Sequence, residues 1–210
     1  MKKITEFAWV IEKERVLKII NCRPKSPAYH ETSELYDCFS KNIKDFLNPW
    51  GVYRFIDIPP NFQFGEVVDC CKIVLCFLTL GEQVDSKIKE YLAQSEFLAA
   101  MVLEVIADEL LFIMTEQLYC RALAEAGENG WNLTERMEPG SQKVPLYLQK
   151  DIFANLDLEK TGISLSTAHM LKPLKSITFF CGAGETVSPT STGHNCVNCR
   201  MEKCMFKCET

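Results

Sequence analysis

The chain has 210 residues and a formal charge of −5 at pH 7, with 47% hydrophobic, 24% charged and 10% aromatic residues. The apolar content excludes disorder over most of the length, and the acidic balance disfavours a basic protein that binds nucleic acid or another polyanion. This composition is typical of a soluble globular chain with a sizeable core, built as one large domain or two small ones.

The N-terminal part of the chain predicts one ambiguous element, one helix and two strands. Residues 4–20 favour a strand or a short helix before a proline-marked loop. Thr32-Ser33-Glu34 is typical of a helix N-cap with early acids, and apolar residues at helical spacing follow it up to Asn48-Pro49. The β-formers from Gly51 to Ile58 predict a strand, and the continuous apolar run from Lys72 to Thr79 predicts a strand buried on both faces.

The strongest helical signal extends from about residue 84 to residue 126, with a break near Gln94-Ser95. Ser95 is expected to cap the second helix, which is apolar on nearly all sides and should run through the centre of the protein. Gly127 and Gly130 should end it.

The last third of the chain predicts a short helix, two strands and a linker. The helix has Pro145 near its start. Residues 162–166 and 175–181 favour two strands joined through Pro173 and paired antiparallel. Residues 183–193 are rich in Gly, Ser, Thr and Pro, which indicates a flexible linker. We therefore expect an α+β domain over 1–182, in which a mixed, largely antiparallel sheet packs on the long central helix, and a Cys-rich tail over 194–210.

Neither an export signal nor a membrane span is expected. The apolar run from Phe7 to Ile11 is too short for the hydrophobic part of a signal peptide. The longest apolar stretch carries Glu104, Asp108 and Glu109 in its middle, and carboxylates there are costly in a bilayer. The sequence therefore predicts a cytoplasmic protein with reduced thiols.

Four of the eleven cysteines lie close together in the tail. In a reducing compartment, this spacing favours a four-thiolate site for zinc or for an iron–sulfur cluster, and the sequence leaves the choice between them open. His194 is an alternative nitrogen ligand. The other seven cysteines are interpreted as reduced packing residues. The predicted metal ligands are Cys196, Cys199, Cys204 and Cys208, and the packing cysteines are Cys22, Cys38, Cys70, Cys71, Cys76, Cys120 and Cys181.

Two further patterns carry weaker signals. Glu104 and Asp108 share one helix face, but no Glu-x-x-His partner exists, so we interpret them as a polar stripe rather than a metal site. Arg136 precedes Gly140 by four residues, a spacing that can present a guanidinium while the backbone approaches a ligand. A surface arginine beside a Pro-Gly turn accounts for the same spacing.

From about residue 65 to residue 182 the chain resembles the reactivation domain of cobalamin-dependent methionine synthase, and more specifically its stand-alone bacterial activation subunits. The residues before that segment match only loosely, chiefly at Arg15-Val16-Leu17. The Cys-rich tail is a further shared feature. The matching segments are residues 75–81 with Val84-Asp85, Leu133-Thr134-Glu135-Arg136 with Pro139-Gly140, Pro145-Leu146, Leu156-Asp157, residues 162–166 and residues 173–178.

The resemblance implies an accessory subunit of a methyltransferase rather than a complete enzyme. Such a subunit docks on the cobalamin-carrying domain and presents S-adenosylmethionine, so that one-electron reduction and methyl transfer return cob(II)alamin to methylcobalamin. An electron donor is then a second partner, and a metal in the tail would relay the electron. The family's Arg-x-x-x-Gly-Tyr loop contacts S-adenosylmethionine, which implies a cofactor site at Arg136, Pro139, Gly140 and Ser141.

The chain departs from the family at this loop and on the central helix. Ser141 replaces the aromatic residue, and Gln142-Lys143 replaces a Gly-Asp pair. Asp108 stands where relatives carry serine, and Phe112 where they carry glutamate. These departures leave open a non-catalytic adaptor that binds a corrinoid protein without S-adenosylmethionine. A zinc-knuckle nucleic-acid binder is a third reading, disfavoured by the negative charge.

Overall fold

A five-stranded antiparallel sheet and one 32-residue helix organise this computed structural model, which describes residues 1–63, 65–141 and 144–188. The helices are α1 (Lys13–Ile19), α2 (Tyr29–Asn42), α3 (Glu82–Ala93), α4 (Phe97–Glu128) and α5 (Leu148–Asn155), and 3₁₀ turns lie at Ile43–Phe46, Pro60–Phe62, Gly65–Asp69 and Leu158–Thr161. The strands are β1 (Lys2–Ile4), β2 (Trp50–Ile56), β3 (Lys72–Thr79), β4 (Asn132–Leu133), β5 (Ser164–Leu165), β6 (Leu171–Lys172) and β7 (Ser176–Gly184).

The main sheet has the strand order β1-β2-β3-β7-β4, and every pairing in it is antiparallel. The central strand β3 occupies the predicted residues, and all of its residues after Lys72 are buried. Because side chains alternate along a strand, Val74, Cys76 and Leu78 pack toward α4 on one face. Ile73, Leu75 and Phe77 pack toward α5 and the 3₁₀ segments on the other. The predicted α+β class is therefore confirmed.

Helix α4 lies at the centre of the larger core, as its apolar surface predicts. Helices α1, α2 and α3 and one face of the sheet surround it. Val16 of α1 and Phe39 of α2 are buried in this core. None of the helices in the described ranges is long and apolar enough to cross a membrane.

Two predicted N-caps are wrong, although the predicted break between α3 and α4 is confirmed. Ser95 has a left-handed backbone (φ 63°) and its N–H bonds to Leu92 O, so it ends α3 instead of capping α4. Thr32 lies inside α2, where its hydroxyl donates to Ala28 O at 2.7 Å. The Thr32 hydroxyl thus bonds to a carbonyl of the preceding helical turn instead of capping a helix start. Helix α2 begins at Tyr29, three residues before the predicted cap.

The predicted pairing of residues 162–166 with 175–181 is also wrong. Strand β5 pairs with β6 in a separate two-stranded sheet, closed by a tight turn in which Ser166 N bonds to Met170 O. Strand β7 pairs instead with β3 over eight residues, because both carry long apolar runs that can be buried together. It continues to Gly184, beyond the predicted end of the strand.

Two glycines of β7 offer a matched test of this packing. A Cβ on Gly182 would stand 2.4 Å from Cys70 Sγ, whereas a Cβ on Gly184 would meet its neighbours at 3.5 Å. We expect Gly182→Ala to lower the free energy of unfolding by about 1–3 kcal/mol and Gly184→Ala to lower it far less, measured by urea denaturation. Adding Cys70→Ala should restore much of the loss, and equal effects of the two glycine substitutions would contradict this close packing.

Candidate functional site

The loop after β4 begins with a β-bulge that turns Arg136 out of the strand register. Leu133 pairs with Ala183, whereas Met137 pairs with Phe180, so one extra residue lies on the β4 side. Glu135 and Arg136 together stand opposite the single residue Cys181. Bulges of this kind redirect a side chain next to functional sites.

The guanidinium of Arg136 is buried between two carboxylates. Its side chain is 3% exposed, and Nη1 donates to Glu116 Oε1 at 2.9 Å. Nε lies 2.9 Å from Glu138 Oε1, yet among the described residues Nε has no hydrogen-bond partner, so this contact is an ion pair without hydrogen-bond alignment. The rings of Phe112 and Phe179 lie 5.9 and 5.4 Å from the guanidinium carbon. We call Arg136, Glu116 and Glu138 the arginine clasp.

The rest of the predicted cofactor loop folds into a tight turn. Gly140 has φ +89°, a conformation that favours glycine, and its N–H bonds to Val144 O at 2.9 Å. A Cβ there would also lie 3.2 Å from Leu146 Cδ1. Ser141 N bonds to Glu138 O at 3.0 Å, and both Gly140 and Ser141 are exposed. The predicted residues therefore share one loop, but Arg136 faces the protein interior while Gly140 and Ser141 face solvent.

A cleft of 200 Å³ lies between this loop and β7. On the edge of β7 that faces β4, the pairing among the described residues ends at Met137 and Phe180. Thr178 and Ser176 lie two and four residues before Phe180 on the same strand. Their backbone groups point to the same edge as those of Phe180, because alternate residues of an antiparallel strand bond to the same side. The described lining residues are Glu138, Pro139, Leu146, Gln149, Met170, Leu171, Leu174, Ser176, Ile177 and Thr178.

The size of the cleft limits what it can hold. Sites for drug-sized ligands usually measure about 300–1,000 Å³, so 200 Å³ accommodates only part of such a molecule. One side of the cleft is polar, where Thr178 Oγ1 donates to Gln149 Oε1 at 3.1 Å and Gln149 Nε2 donates to His169 O at 2.5 Å. Glu138 supplies the charge on the opposite side.

A buried lysine fixes the segment that carries this cleft onto α4. Lys175 is 8% exposed, and its Nζ lies 2.5 Å from Glu104 Oε1 and 2.6 Å from Asp108 Oδ1. Burial lowers the pKa of the Lys175 ammonium, but the hydrogen bonds to the two carboxylates outweigh it and raise the pKa above the ordinary 10.5. Burial also raises the pKa of Asp108, more than Lys175 lowers it. Glu104 and Asp108, which the sequence predicts as a polar stripe, therefore form a charge cluster with Lys175.

Asp85 holds the neighbouring backbone. Its carboxylate is buried and accepts the N–H of Leu174. Burial raises the pKa of this carboxyl, while backbone hydrogen bonds from Leu174 and Lys175 lower it in part. Ser176 Oγ donates to Thr79 Oγ1 at 2.8 Å, which ties the start of β7 to the end of β3. The segment that lines the cleft is therefore held at three consecutive residues, Leu174, Lys175 and Ser176. No local sequence pattern indicates these contacts.

The predicted metal ligands Cys196, Cys199, Cys204 and Cys208 lie outside the described residues. Within the described ranges, no group of three or more His, Cys, Asp or Glu side chains is arranged to hold a metal ion. Cys76 and Cys181 are buried, and burial raises the pKa of both thiols, as expected of packing residues. The packing interpretation is wrong for Cys38, Cys71 and Cys120, which are exposed.

Comparison with known proteins is informative at the level of the fold. No family model matches the sequence, and no curated protein matches it either. Among solved structures, the crystal structure of the MetH reactivation domain bound to AdoHcy superposes with a TM-score of 0.59 at 15% identity. The match covers 87% of this chain and 72% of that chain. At this identity the likeness establishes a shared fold, and it confirms the fold that the sequence resemblance implies.

Proposed function

We propose that this protein binds S-adenosylmethionine and acts as a stand-alone reactivation subunit for a cobalamin-dependent methionine synthase. The observation that carries the proposal is the shared fold with a reactivation domain whose crystal structure contains AdoHcy, over 87% of this chain. The sequence resemblance, which rests on different evidence, names the same family. The partner would be the cobalamin-binding part of the synthase, and a separate electron donor would act with it in the cytoplasm.

The residues around the cleft fit part of such a ligand. Arg136 Nε is a buried donor with no hydrogen-bond partner among the described residues, although Glu138 Oε1 lies 2.9 Å away, so a ligand carboxylate that displaces Glu138 can accept this hydrogen bond. Ser176 and Thr178 present backbone groups at the open edge of β7, and Pro139 supplies an apolar wall. When bound, S-adenosylmethionine supplies the methyl group for the partner's cobalt. This chain's own residues bind and orient the ligand, and cobalt chemistry belongs to the partner.

Calorimetric titration of the full chain with S-adenosylmethionine tests the proposal. We expect binding to the wild type, and about tenfold weaker binding to Gly140→Ala, equivalent to about 1.4 kcal/mol, because the turn at φ +89° and its contact with Leu146 must shift. Gly130→Ala is the matched control. Gly130 also has a positive φ (74°), but a Cβ there meets nothing within 4 Å. Failure of S-adenosylmethionine to bind the wild type, alone or with a cobalamin-loaded partner, overturns the proposal.

The arginine clasp favours a second candidate, an adaptor that binds a corrinoid protein without this ligand. Arg136 already faces two carboxylates, and Ser141 supplies no aromatic surface for an adenosyl group. The adaptor predicts a complex with a cobalamin-loaded methionine synthase fragment whose affinity is the same with and without S-adenosylmethionine. Binding that strengthens with the ligand favours the reactivation subunit instead.

The metal-binding tail stays a prediction. We propose that Cys196, Cys199, Cys204 and Cys208 hold zinc or an iron–sulfur cluster, since four thiolates at this spacing suit both. Anaerobic purification followed by elemental analysis separates the two. A brown protein with iron and sulfide indicates a cluster, a colourless one with one zinc per chain indicates zinc, and neither metal at stoichiometric level contradicts the prediction.

A further inference from the structure

Glu138 lies at the junction between the buried arginine and the open cleft. Its side chain lines the cleft and is 34% exposed, while Oε1 lies 2.9 Å from Nε of Arg136. The arginine itself is 3% exposed. Glu138 is therefore the member of the arginine clasp that separates the guanidinium from anything in the cleft.

The two carboxylates of the clasp hold the arginine differently. Glu116 belongs to the long helix α4 and accepts an aligned hydrogen bond from Nη1. Glu138 belongs to the loop and is close enough for an ion pair, but Nε remains without a hydrogen-bond partner among the described residues. A buried donor left in this state is unfavourable, because it has lost its hydrogen bonds to water without gaining another. The contact with Glu138 is thus the weaker of the two and the easier to exchange.

We propose that Glu138 is a built-in competitor for the ligand's carboxylate. In the free protein it occupies the place beside Nε of Arg136, and a bound carboxylate takes that place while Glu138 moves into solvent. Glu116 keeps the guanidinium in position throughout. This inference rests on the proposed function, and it specifies the ligand class as one with a free α-carboxylate. The apparent affinity for such a ligand is lowered by the fraction of molecules in which Glu138 occupies the site.

The test compares two ligands and three forms of the full chain by calorimetry. S-adenosylmethionine carries the carboxylate, and decarboxylated S-adenosylmethionine lacks it. We expect Glu138→Gln, which removes the competing charge and retains the side-chain size, to tighten S-adenosylmethionine binding by about three- to tenfold. Binding of the decarboxylated compound should not tighten. Glu31→Gln removes the same charge from the exposed first turn of α2 and should change neither affinity.

The outcomes separate this inference from the proposed function. If the wild type binds S-adenosylmethionine and Glu138→Gln binds it equally or more weakly, the competitor role is wrong and the proposed function stands. Equal tightening for both ligands also overturns the competitor role, because the gain would not depend on the carboxylate. If neither form binds S-adenosylmethionine, both proposals fail.

Discussion

Replacement of Arg15 by methionine is expected to lower the free energy of unfolding by about 3–5 kcal/mol. Arg15 of α1 donates through Nε to Glu109 Oε2, and the Glu109 side chain is 3% exposed in the middle of α4. Among the described residues, the other carboxylate oxygen of Glu109 has no hydrogen-bond partner. Methionine retains most of the apolar packing of the arginine stem but leaves a buried carboxylate without its cation. Urea denaturation at pH 7 measures the loss.

Two variants show whether the buried charge is the cause. Arg15→Met combined with Glu109→Gln removes both charges and should recover much of the stability lost in the single variant, since no buried carboxylate remains. Arg121→Met removes an exposed arginine more than three turns further along α4 and should change stability by less than about 0.5 kcal/mol. If the double variant is as unstable as Arg15→Met, the charge pair is not what holds α1 to α4.

The ion pair between Arg15 and Glu109 joins the N-terminal part of the chain, where the family resemblance is loose, to the central helix, where the resemblance is stronger. The sequence resemblance before residue 65 is confined chiefly to Arg15-Val16-Leu17, where Arg15 pairs with Glu109 of the central helix and Val16 is buried in the core around that helix. Val16 is fully buried and Leu17 nearly so. The short match coincides with the charge pair and the apolar contact that hold α1 against α4.

The sequence predicts those elements whose evidence is local. Residues 72–79 form a nearly uninterrupted apolar run, which is the sequence signature of a strand buried on both faces. The bounds of β3 are therefore predictable from the sequence. The all-round apolar surface of residues 97–126 likewise required a central helix. Cap positions were harder, because the hydroxyls of Thr32 and Ser95 suit more than one backbone conformation. Which conformation forms depends on the neighbouring turns rather than on the residue itself.

The candidate site depends on contacts between residues far apart in the chain, which explains what the sequence could not predict. The loop residues Arg136 and Gly140 were identified from a spacing and a family resemblance. The surroundings of these residues cannot be read from the sequence. The bulge is defined only by its pairing with β7, and Glu116, which accepts a hydrogen bond from Arg136, lies 20 residues away on α4. Glu138 lies two residues from Arg136, but the sequence does not mark it as a site residue. An acid beside an arginine in a loop carries no signal until burial of the guanidinium is known.

Neutralising both carboxylates around Lys175, with Glu104→Gln and Asp108→Asn, is the second change for which we expect a large effect, a loss of about 3 kcal/mol. The Lys175 side chain is 8% exposed, so its ammonium would be left buried without a counter-charge. The reverse change, Lys175→Met, should cost less than about 1 kcal/mol. It leaves Glu104 and Asp108, which are 47% and 34% exposed and can be solvated by water.

The pH dependence of stability provides the independent check. Because the pKa of Lys175 is raised in the folded state, its contribution is fully present below the ordinary pKa of 10.5 and is lost as pH rises through the folded value. The stability difference between wild type and Lys175→Met, measured by urea denaturation, should therefore shrink above about pH 10.5. Other lysines and the tyrosines titrate in both proteins and cancel in the difference. A constant difference across this range, or a Lys175→Met variant less stable than the double carboxylate variant, means that the charge cluster does not hold this end of the cleft as the contacts indicate.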